Sequence, residues 1–219
     1  RMPPPLKLPV LQNWSCHSCA GCCRQHAIEI TEEERQRIIS QGWESQPGYG
    51  PNEPIFVWNS GPIWKKRYRL AHRADGGCVF LDEKGLCRIH AKFGEPAKPL
   101  ACRIYPYAFH PAGKQVTVSL RFSCPSVVAN RGTPLTENQK ELKQLERLVV
   151  PQGVEKLPAP KISSRQRLDW PDFLQFVEHL DSTLADSSQP IMVKLLRALF
   201  WMGLVGQSRF DVIQGDRLE

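Results

Sequence analysis

The sequence predicts an α+β fold: a small cysteine-rich metal-binding domain with short hairpins over residues 1–130, followed by a helical segment over residues 131–219. Three observations lead to this prediction. All eight cysteines lie between residues 16 and 124 of the 219. The same part alternates short apolar runs with glycine and proline turns, which is typical of short strands and hairpins. The remainder has helix start signals and no cysteine.

The N-terminal elements follow from local signals. Residues 1–13 predict an extended, proline-rich lead-in, and a cysteine loop follows it. The first strand is predicted over 27–30. Thr31 with Glu34 forms a capping box, so a helix should run from there to about Gln41, with Gly42 as its stop.

The middle of the chain predicts short strands and broken helical turns. The predicted strands are 54–58 and 63–70 around a turn at 59–62, then a short hairpin of 78–81 and 86–89, and a last hairpin over 107–122. In the second arm of the last hairpin, Val116, Val118, Leu120 and Phe122 alternate with polar residues, so they should share a buried face. Proline breaks favour short helical turns over 88–103.

The C-terminal segment predicts three helices. Thr136 with Gln139 should cap the first helix, which ends near Val149. A proline-rich linker over 151–164 follows. Asp169 should open a second helix to about Ala185, and a third should run from Pro190 to about Val205. The third helix has a broad apolar surface, so we expect it to pack against another element.

Composition argues against a disulfide-stapled secreted module. Such modules are short and cysteine-dense, whereas 41% of these 219 residues are hydrophobic and can form a core. Eight is an even number of cysteines, so a disulfide framework stays an alternative. Adjacent Cys22 and Cys23 suit such a framework poorly, because we expect neighbouring side chains to diverge.

Hydropathy predicts a soluble, cytoplasmic protein. The mean hydropathy is -0.37, and 23% of the residues are charged. The most apolar window, Ile191–Val205, is too short for a membrane span and carries Lys194 and Arg197. The first residues have no apolar signal-peptide region. The chain starts with Arg rather than Met, so it can be a piece of a longer protein.

The net charge of +7 includes a basic run over residues 65–69. This run could meet phosphate or an acidic partner, or offset the charge of a thiolate cluster. We favour a third interpretation, a strand edge kept soluble by its cations. We expect no nucleic-acid partner. The partner is otherwise left open, with a protein substrate or a redox partner as the candidates.

The cysteine loop carries the strongest functional signal. Its sequence is Cys16-His-Ser-Cys19-Ala-Gly-Cys22-Cys23. A Cys-x2-Cys pair in a tight turn can aim both sulfurs at one metal centre. Consecutive steps of this kind supply the thiolates of ferredoxin-type iron–sulfur clusters, and zinc sites use the same turn in pairs. The loop therefore predicts a metal site without deciding between iron and zinc.

Four further cysteines are candidate ligands: Cys78, Cys87, Cys102 and Cys124. The turn over residues 82–85 should bring Cys78 close to Cys87. Eight thiols could form two four-thiolate sites, in which Cys23 points away from Cys22 and joins the distal set. A single four-iron cluster with four spare thiols is equally compatible with the spacing, and any one distal cysteine could be an ordinary core residue.

Histidines and arginines near the cysteines are weaker candidates. The histidines of this region are His17, His26, His72, His90 and His110. His90 is the best candidate ligand among them, because it stands three residues after Cys87, although surface or supporting roles are commoner. Arg88 and Arg103 each follow a distal cysteine, so they could bind a cofactor or an anionic substrate group, or form ordinary salt bridges. No catalytic residue can be assigned.

With these motifs the sequence resembles the YkgJ-type cysteine-cluster family, the bacterial CxxCxxCC proteins described as zinc- or iron-chelating. The cysteine loop matches the motif that names the family. Further matches are Cys78-Val-Phe-Leu, Cys87-Arg-Ile-His90, and the stretch from Lys98-Pro99 through Cys102-Arg103 to Tyr105-Pro106. Lys98 replaces the usual Arg of the family, and the connection before Pro99 is a few residues longer. The resemblance covers about residues 14–125.

The resemblance implies an iron–sulfur cluster-binding protein, most simply a 4Fe-4S protein that could be redox-active. Zinc binding in a structural or chelating role is the first alternative. The family is similar to flagellin lysine N-methylases, whose chemistry is linked to an iron–sulfur cluster and S-adenosylmethionine. The second alternative is therefore a cluster-dependent lysine N-methyltransferase, although this chain has no Cys-x3-Cys-x2-Cys loop. An oxidoreductase or a methyltransferase activity is therefore an expectation that rests on the family resemblance alone.

Overall fold

The computed structural model describes residues 5–9, 12–45, 53–163 and 166–208. Parts of the predicted lead-in and the last residue of the predicted linker lie outside them. The chain forms two compact units. The cysteine unit comprises residues 8–109 and 118–149, and the helical unit comprises 1–7, 110–117 and 150–219. The domain boundary expected near residue 130 stays a prediction.

The chain contains both short strands and helices, and they occur mostly in separate runs, as is typical of an α+β fold. The strands are β1 (Leu6–Lys7), β2 (Glu29–Ile30), β3 (Phe56–Ser60), β4 (Arg67–Leu70), β5 (Tyr107–Ala112) and β6 (Gln115–Leu120). The α-helices are α1 (Gly21–Gln25), α2 (Glu32–Ser40), α3 (Arg88–Phe93), α4 (Leu100–Ile104), α5 (Pro125–Val128), α6 (Gln139–Val149), α7 (Trp170–Ala185) and α8 (Ile191–Gln207). Short 3₁₀ turns connect several of them.

An antiparallel sheet in the order β2-β4-β3 covers the core of the cysteine unit. Leu70 of β4 pairs with Phe56 of β3 and is 2% exposed. Behind it lie buried Ile38, Trp43 and Phe80, and the rings of Trp43 and Phe80 meet edge to face at 5.0 Å. The strand predicted over 63–70 begins only at Arg67, because residues 63–65 form a 3₁₀ turn instead.

The predicted capping box is present at the start of α2, and its Glu34 side chain also bonds to a second helix. The Thr31 N–H donates to Glu34 Oε2 (2.9 Å), and the Glu34 N–H donates to Thr31 Oγ1 (3.2 Å). The other carboxylate oxygen of Glu34 accepts from the backbone N–H of Leu100 at 2.6 Å. Leu100 is the first residue of α4. One buried carboxylate therefore serves the N-termini of two helices, both of which attract negative charge.

The predicted last hairpin is present as β5 and β6, and β1 pairs in parallel with β6. Val116, Val118 and Leu120 are 5% exposed or less, as their alternation predicts. Phe122 does not share this face, since it is 65% exposed. Strand β6 ends at Leu120, so the two-residue period ends before Phe122.

The predicted C-terminal helices are confirmed with small shifts. A 3₁₀ turn at Leu135–Asn138 occupies the predicted start of α6, which ends at Val149 as expected. The Asp169 side chain caps α7, and α8 begins directly after Pro190. Helix α7 packs on α8, and the rings of His179 and Trp201 stack at 6.2 Å.

Much of the apolar surface of α8 faces solvent in the described residues. Leu196, Leu199 and Phe200 are 61%, 63% and 68% exposed. The expected packing of this broad surface is therefore limited to the stripe that includes Ala198 and Val205. Within the described ranges, no helix combines the length and apolar character needed to cross a membrane.

Candidate metal centre

Backbone pairing with a distant segment positions the start of the cysteine loop, which we define as residues 16–23. The N–H of Trp14 donates to the Thr133 carbonyl, and the N–H of Ser15 donates to the Arg131 carbonyl, both at 2.9 Å. Thr133 N–H in turn donates to Ser15 Oγ at 3.3 Å. The residues just before Cys16 are therefore held by a segment that lies more than 100 residues later in the chain.

The second half of the loop is helical, which brings two thiols together. Helix α1 begins at Gly21 and places Cys22 and Cys23 in its first turn. Their sulfurs lie 3.8 Å apart, so the expectation that these side chains diverge is wrong. Consecutive side chains on a strand point to opposite faces, but on a helix they differ by only about 100° around the axis. Two adjacent thiols can therefore converge.

Backbone contacts position the first two distal cysteines, Cys78 against the loop and Cys87 against Leu81. The backbone N–H of Cys78 donates to the carbonyl of Cys23 at 2.8 Å. The predicted turn is present, because Asp82 Oδ1 accepts from the N–H groups of Lys84 and Leu86. The predicted hairpin is reduced to one antiparallel bridge between Leu81 and Cys87, since α3 begins directly after Cys87 and replaces the second strand.

Cys102 reaches the same region on α4. The Glu34 carboxylate fixes the first residue of this helix, as described above. Arg37 of α2 also donates to the Lys98 carbonyl at 3.3 Å. Helix α2 therefore positions the segment that leads into Cys102.

Six of the eight cysteines line one cavity of about 300 Å³, which we call the thiol cavity. They are Cys16, Cys22, Cys23, Cys78, Cys87 and Cys102. The other lining side chains are mostly apolar or aromatic, including Phe80, Ile89, Tyr105 and Tyr107. All eight cysteines are free thiols. Four separate chain segments thus contribute thiols to one partly open cavity.

The thiols in this cavity differ in their ease of ionisation. A hydrogen bond from Cys23 lowers the pKa of Cys22, and the same bond raises the pKa of Cys23. Burial raises the pKa of Cys78 to about 11 and that of Cys102 to about 12. Buried thiols stay neutral unless a cation compensates their charge, and a bound metal ion would supply that charge.

The sulfur atoms in the cavity are not arranged as a metal coordination shell. Across the described ranges, no three His, Cys, Asp or Glu side chains stand at the spacing that would hold a metal ion. The backbone therefore gathers the thiols, while their side-chain torsions do not define a coordination geometry. The eight cysteines as metal ligands stay a prediction.

Cys19 and Cys124 lie outside the cavity lining. Cys19 is exposed and Cys124 is buried at the start of α5. A Cβ added to Gly21 would lie 3.5 Å from Cys19 Sγ and 3.9 Å from Pro125 Cδ, so Cys19 is close to the residue that follows Cys124. The ring of His17 hydrogen-bonds to Ser126 Oγ and ties the loop to α5. Cys19 thus lies close to the start of α5, where Cys124 is the residue before Pro125.

The two predicted cofactor-binding arginines do not line the thiol cavity. Arg103 Nε forms an ion pair with Glu95 Oε1 at 2.8 Å, which agrees with the salt-bridge interpretation. Arg88 is half-buried at the start of α3. A cofactor-binding role for either residue stays a prediction.

Sequence reasoning missed the two cations that line the cavity, whereas it named both lining histidines as candidates. Lys98 and Arg121 are the lining cations. The pKa of Cys22 is lowered mainly by the Cys23 hydrogen bond, and the charge of Lys98 lowers it further. The pKa of Cys102 is raised by burial, and the charge of Lys98 opposes part of that rise. His26 lines the cavity as well as the predicted His90. The Nε2 atom of His26 is buried and has no hydrogen-bond partner among the residues that the structure describes, and its ring packs on Tyr105 at 4.9 Å.

Comparison with known proteins agrees with this geometry. Residues 15–125 match the family model CxxCxxCC, described as "Putative zinc- or iron-chelating domain". The flagellar biosynthetic protein FliU of Salmonella muenchen is 37% identical over 118 residues, which cover 51% of this chain and 69% of FliU. A lysine-N-methylase of Salmonella typhimurium strain LT2 is 27% identical over 118 residues, which cover 51% of this chain and 29% of the methylase. No solved structure matches the chain significantly.

Proposed function

This chain belongs to the CxxCxxCC family of zinc- or iron-chelating domains, and we propose that it holds an iron–sulfur cluster in the thiol cavity. The observation that carries the proposal is the convergence of six cysteines from four segments on one cavity of about 300 Å³. A four-iron cluster needs four thiolates arranged around a volume larger than a single ion. A zinc site needs four ligands around one atom.

The thiol cavity supplies what such a cluster requires. The ligands would be drawn from Cys22, Cys23, Cys78, Cys87 and Cys102, with Cys16 at the cavity edge as a further candidate. Most of the lining is apolar, and Lys98 offsets negative charge on the thiolates. A cluster bound there would supply one-electron chemistry. The unpartnered Nε2 of His26 could act as a ligand or hydrogen-bond to a sulfur.

Free thiols must stay reduced before they can bind a cluster. All eight cysteines are free, and reduced thiols persist in the cytoplasm, where disulfides are rare. We therefore place the protein in the cytoplasm as part of the proposal.

Anaerobic purification with metal analysis tests the proposal. We expect iron and acid-labile sulfide in equal amounts and broad absorption at about 400 nm, typical of sulfide-bridged iron. Stoichiometric zinc without iron or sulfide would overturn the cluster and leave the zinc alternative. Cys22→Ser should remove the absorption. Cys124→Ser is the matched variant outside the cavity. If this variant keeps the absorption, the chain has one metal centre; if it loses half of its iron, the chain has two.

A second candidate function is lysine N-methylation. The specific observation that favours it is the 27% identity over 118 residues to two Salmonella lysine-N-methylases, 29% of whose length is covered by the match. Incubation of the cluster-loaded chain with S-adenosylmethionine and a lysine-containing protein, followed by mass spectrometry, tests it. Methylated lysine that is absent in Cys22→Ser would support this function, and no mass change would remove it.

A further inference from the structure

The tip of the β3–β4 hairpin, residues 58–67, presents large apolar side chains to solvent. All ten residues are exposed. Trp58 is 62% exposed, Ile63 is 83% exposed and Trp64 is 88% exposed. Single exposed apolar residues are ordinary, but contiguous apolar patches mark interaction sites.

Backbone geometry holds these side chains in place. Gly61 has φ +91°, and a Cβ added there would collide with the Lys65 carbonyl oxygen, so the turn requires glycine. The Lys65 N–H donates to the Pro62 carbonyl at 2.9 Å. The indole N–H of Trp58 donates to the Ser60 carbonyl, also at 2.9 Å. The tip is a defined turn that carries two indoles outward.

Three consecutive cations follow Trp64 on the same tip. Lys65, Lys66 and Arg67 are exposed, and none of them forms an ion pair with a carboxylate in the described residues. The nearby carboxylate of Glu29 accepts a hydrogen bond from Asn59 Nδ2 at 2.6 Å. The tip therefore combines apolar and cationic character within a few residues.

We propose that this tip docks the protein on the surface of an anionic lipid bilayer. Indole rings favour the interface between the headgroups and the acyl chains. Lys and Arg side chains beside them reach the negatively charged phosphates of the same layer. A small set of apolar side chains together with several cations is the combination that gives reversible binding to membrane surfaces.

A bilayer fits the tip better than a folded protein partner. Three apolar side chains on a projecting turn provide much less than the roughly 800 Å² per partner of a stable protein–protein interface. A bilayer instead accepts a projecting tip, and its charge is complementary to that of the tip. The proposal concerns a surface away from the thiol cavity and does not depend on which metal is bound.

Vesicle flotation with the full 219-residue chain tests the proposal. The probes are vesicles of phosphatidylcholine alone and of phosphatidylcholine mixed with phosphatidylglycerol. We expect binding to the anionic vesicles only, weakened in high salt because screening shortens the reach of the cations. The double variant Ile63→Ser/Trp64→Ser should bind at least about tenfold more weakly. Lys65→Gln and Lys66→Gln should each cost about fivefold.

Matched controls separate the tip from the rest of the surface. Leu148→Ser and Lys140→Gln change exposed residues of α6, and Leu199→Ser changes an exposed apolar residue of α8. Each control variant should bind vesicles as strongly as the unmodified chain. The control variants and the tip variants should all unfold at the same temperature as the unmodified chain. The proposal is overturned if the chain does not float with anionic vesicles, if the tip variants bind normally, or if Leu199→Ser weakens binding as much. If the chain is retained on polyaspartate beads but does not bind vesicles, the tip recognises an acidic protein partner, and the membrane proposal is overturned.

Discussion

Gly85 is the residue through which the turn before Cys87 touches the cysteine loop. Its φ is +78°, and a Cβ added there would lie 2.8 Å from the Ser18 carbonyl oxygen and 3.7 Å from Ala20 Cβ. Gly76 has the same φ of +78°, but a Cβ there would meet nothing within 4 Å. Gly85→Ala and Gly76→Ala therefore share one backbone strain and differ in one steric contact.

The comparison gives a magnitude for that contact. Both variants place alanine in the left-handed region, at a cost of about 1–2 kcal/mol. Gly85→Ala must also displace the cysteine loop or the turn, and overpacking of this kind costs about 1–3 kcal/mol more. At roughly 2–4 °C per kcal/mol for a chain of this size, Gly85→Ala should unfold about 2–12 °C below Gly76→Ala.

Thermal unfolding followed by circular dichroism, together with metal analysis, measures both consequences. We expect Gly85→Ala to purify with less metal per chain, because the displaced loop carries the thiols of the cavity. Gly76→Ala should keep the full metal content. Equal unfolding temperatures and equal metal contents in the two variants would refute the idea that this close approach shapes the site.

Three further predictions follow from the same structure. Glu34→Ala should lower the free energy of unfolding by about 3 kcal/mol, because the N–H groups of Thr31 and Leu100 lose a charged acceptor. Glu32→Gln on the same helix weakens only an exposed ion pair with Arg35, so it should lower the urea unfolding midpoint much less; a shared midpoint would contradict this. Cys102→Ser should lose bound metal while Ser123→Ala keeps it, measured by elemental analysis; full metal content in Cys102→Ser would exclude that thiol as a ligand. Removal of the metal by a chelator should make the cysteine unit sensitive to protease, since thiolate–metal bonds connect its segments; an unchanged digestion pattern would show that the unit folds without metal.

Signals that act within a few residues predicted their elements well. The Thr31 capping box, the Asp169 cap and the proline before Ile191 each begin a helix where expected. Such signals depend on a side chain and the backbone groups beside it, so the surrounding fold does not alter them. The turn at residues 82–85, which leads into Cys87, was predictable for the same reason.

Features that depend on distant residues could not be predicted. Ile63 and Trp64 look like strand residues by type, but they end in solvent because no neighbouring element covers them in the described structure. The capping box predicts the hydrogen bond between Glu34 and the Thr31 N–H. It does not predict that Glu34 also accepts from the N–H of Leu100, which is 66 residues away. The cysteine spacing indicated a metal site, but not that Lys98 would line it. Tertiary contacts decide each of these cases.

The pairing of residues 12–15 with the segment at 131–133 has a consequence during protein synthesis. The cysteine loop leaves the ribosome first, but its partner strand segment is made more than 100 residues later. At about 5–20 residues per second, the loop therefore waits roughly 6–20 s before its N-terminal side can be fixed. During that interval the four thiols of the loop lack this pairing, so the nascent chain depends on a reducing environment until residue 133 has emerged.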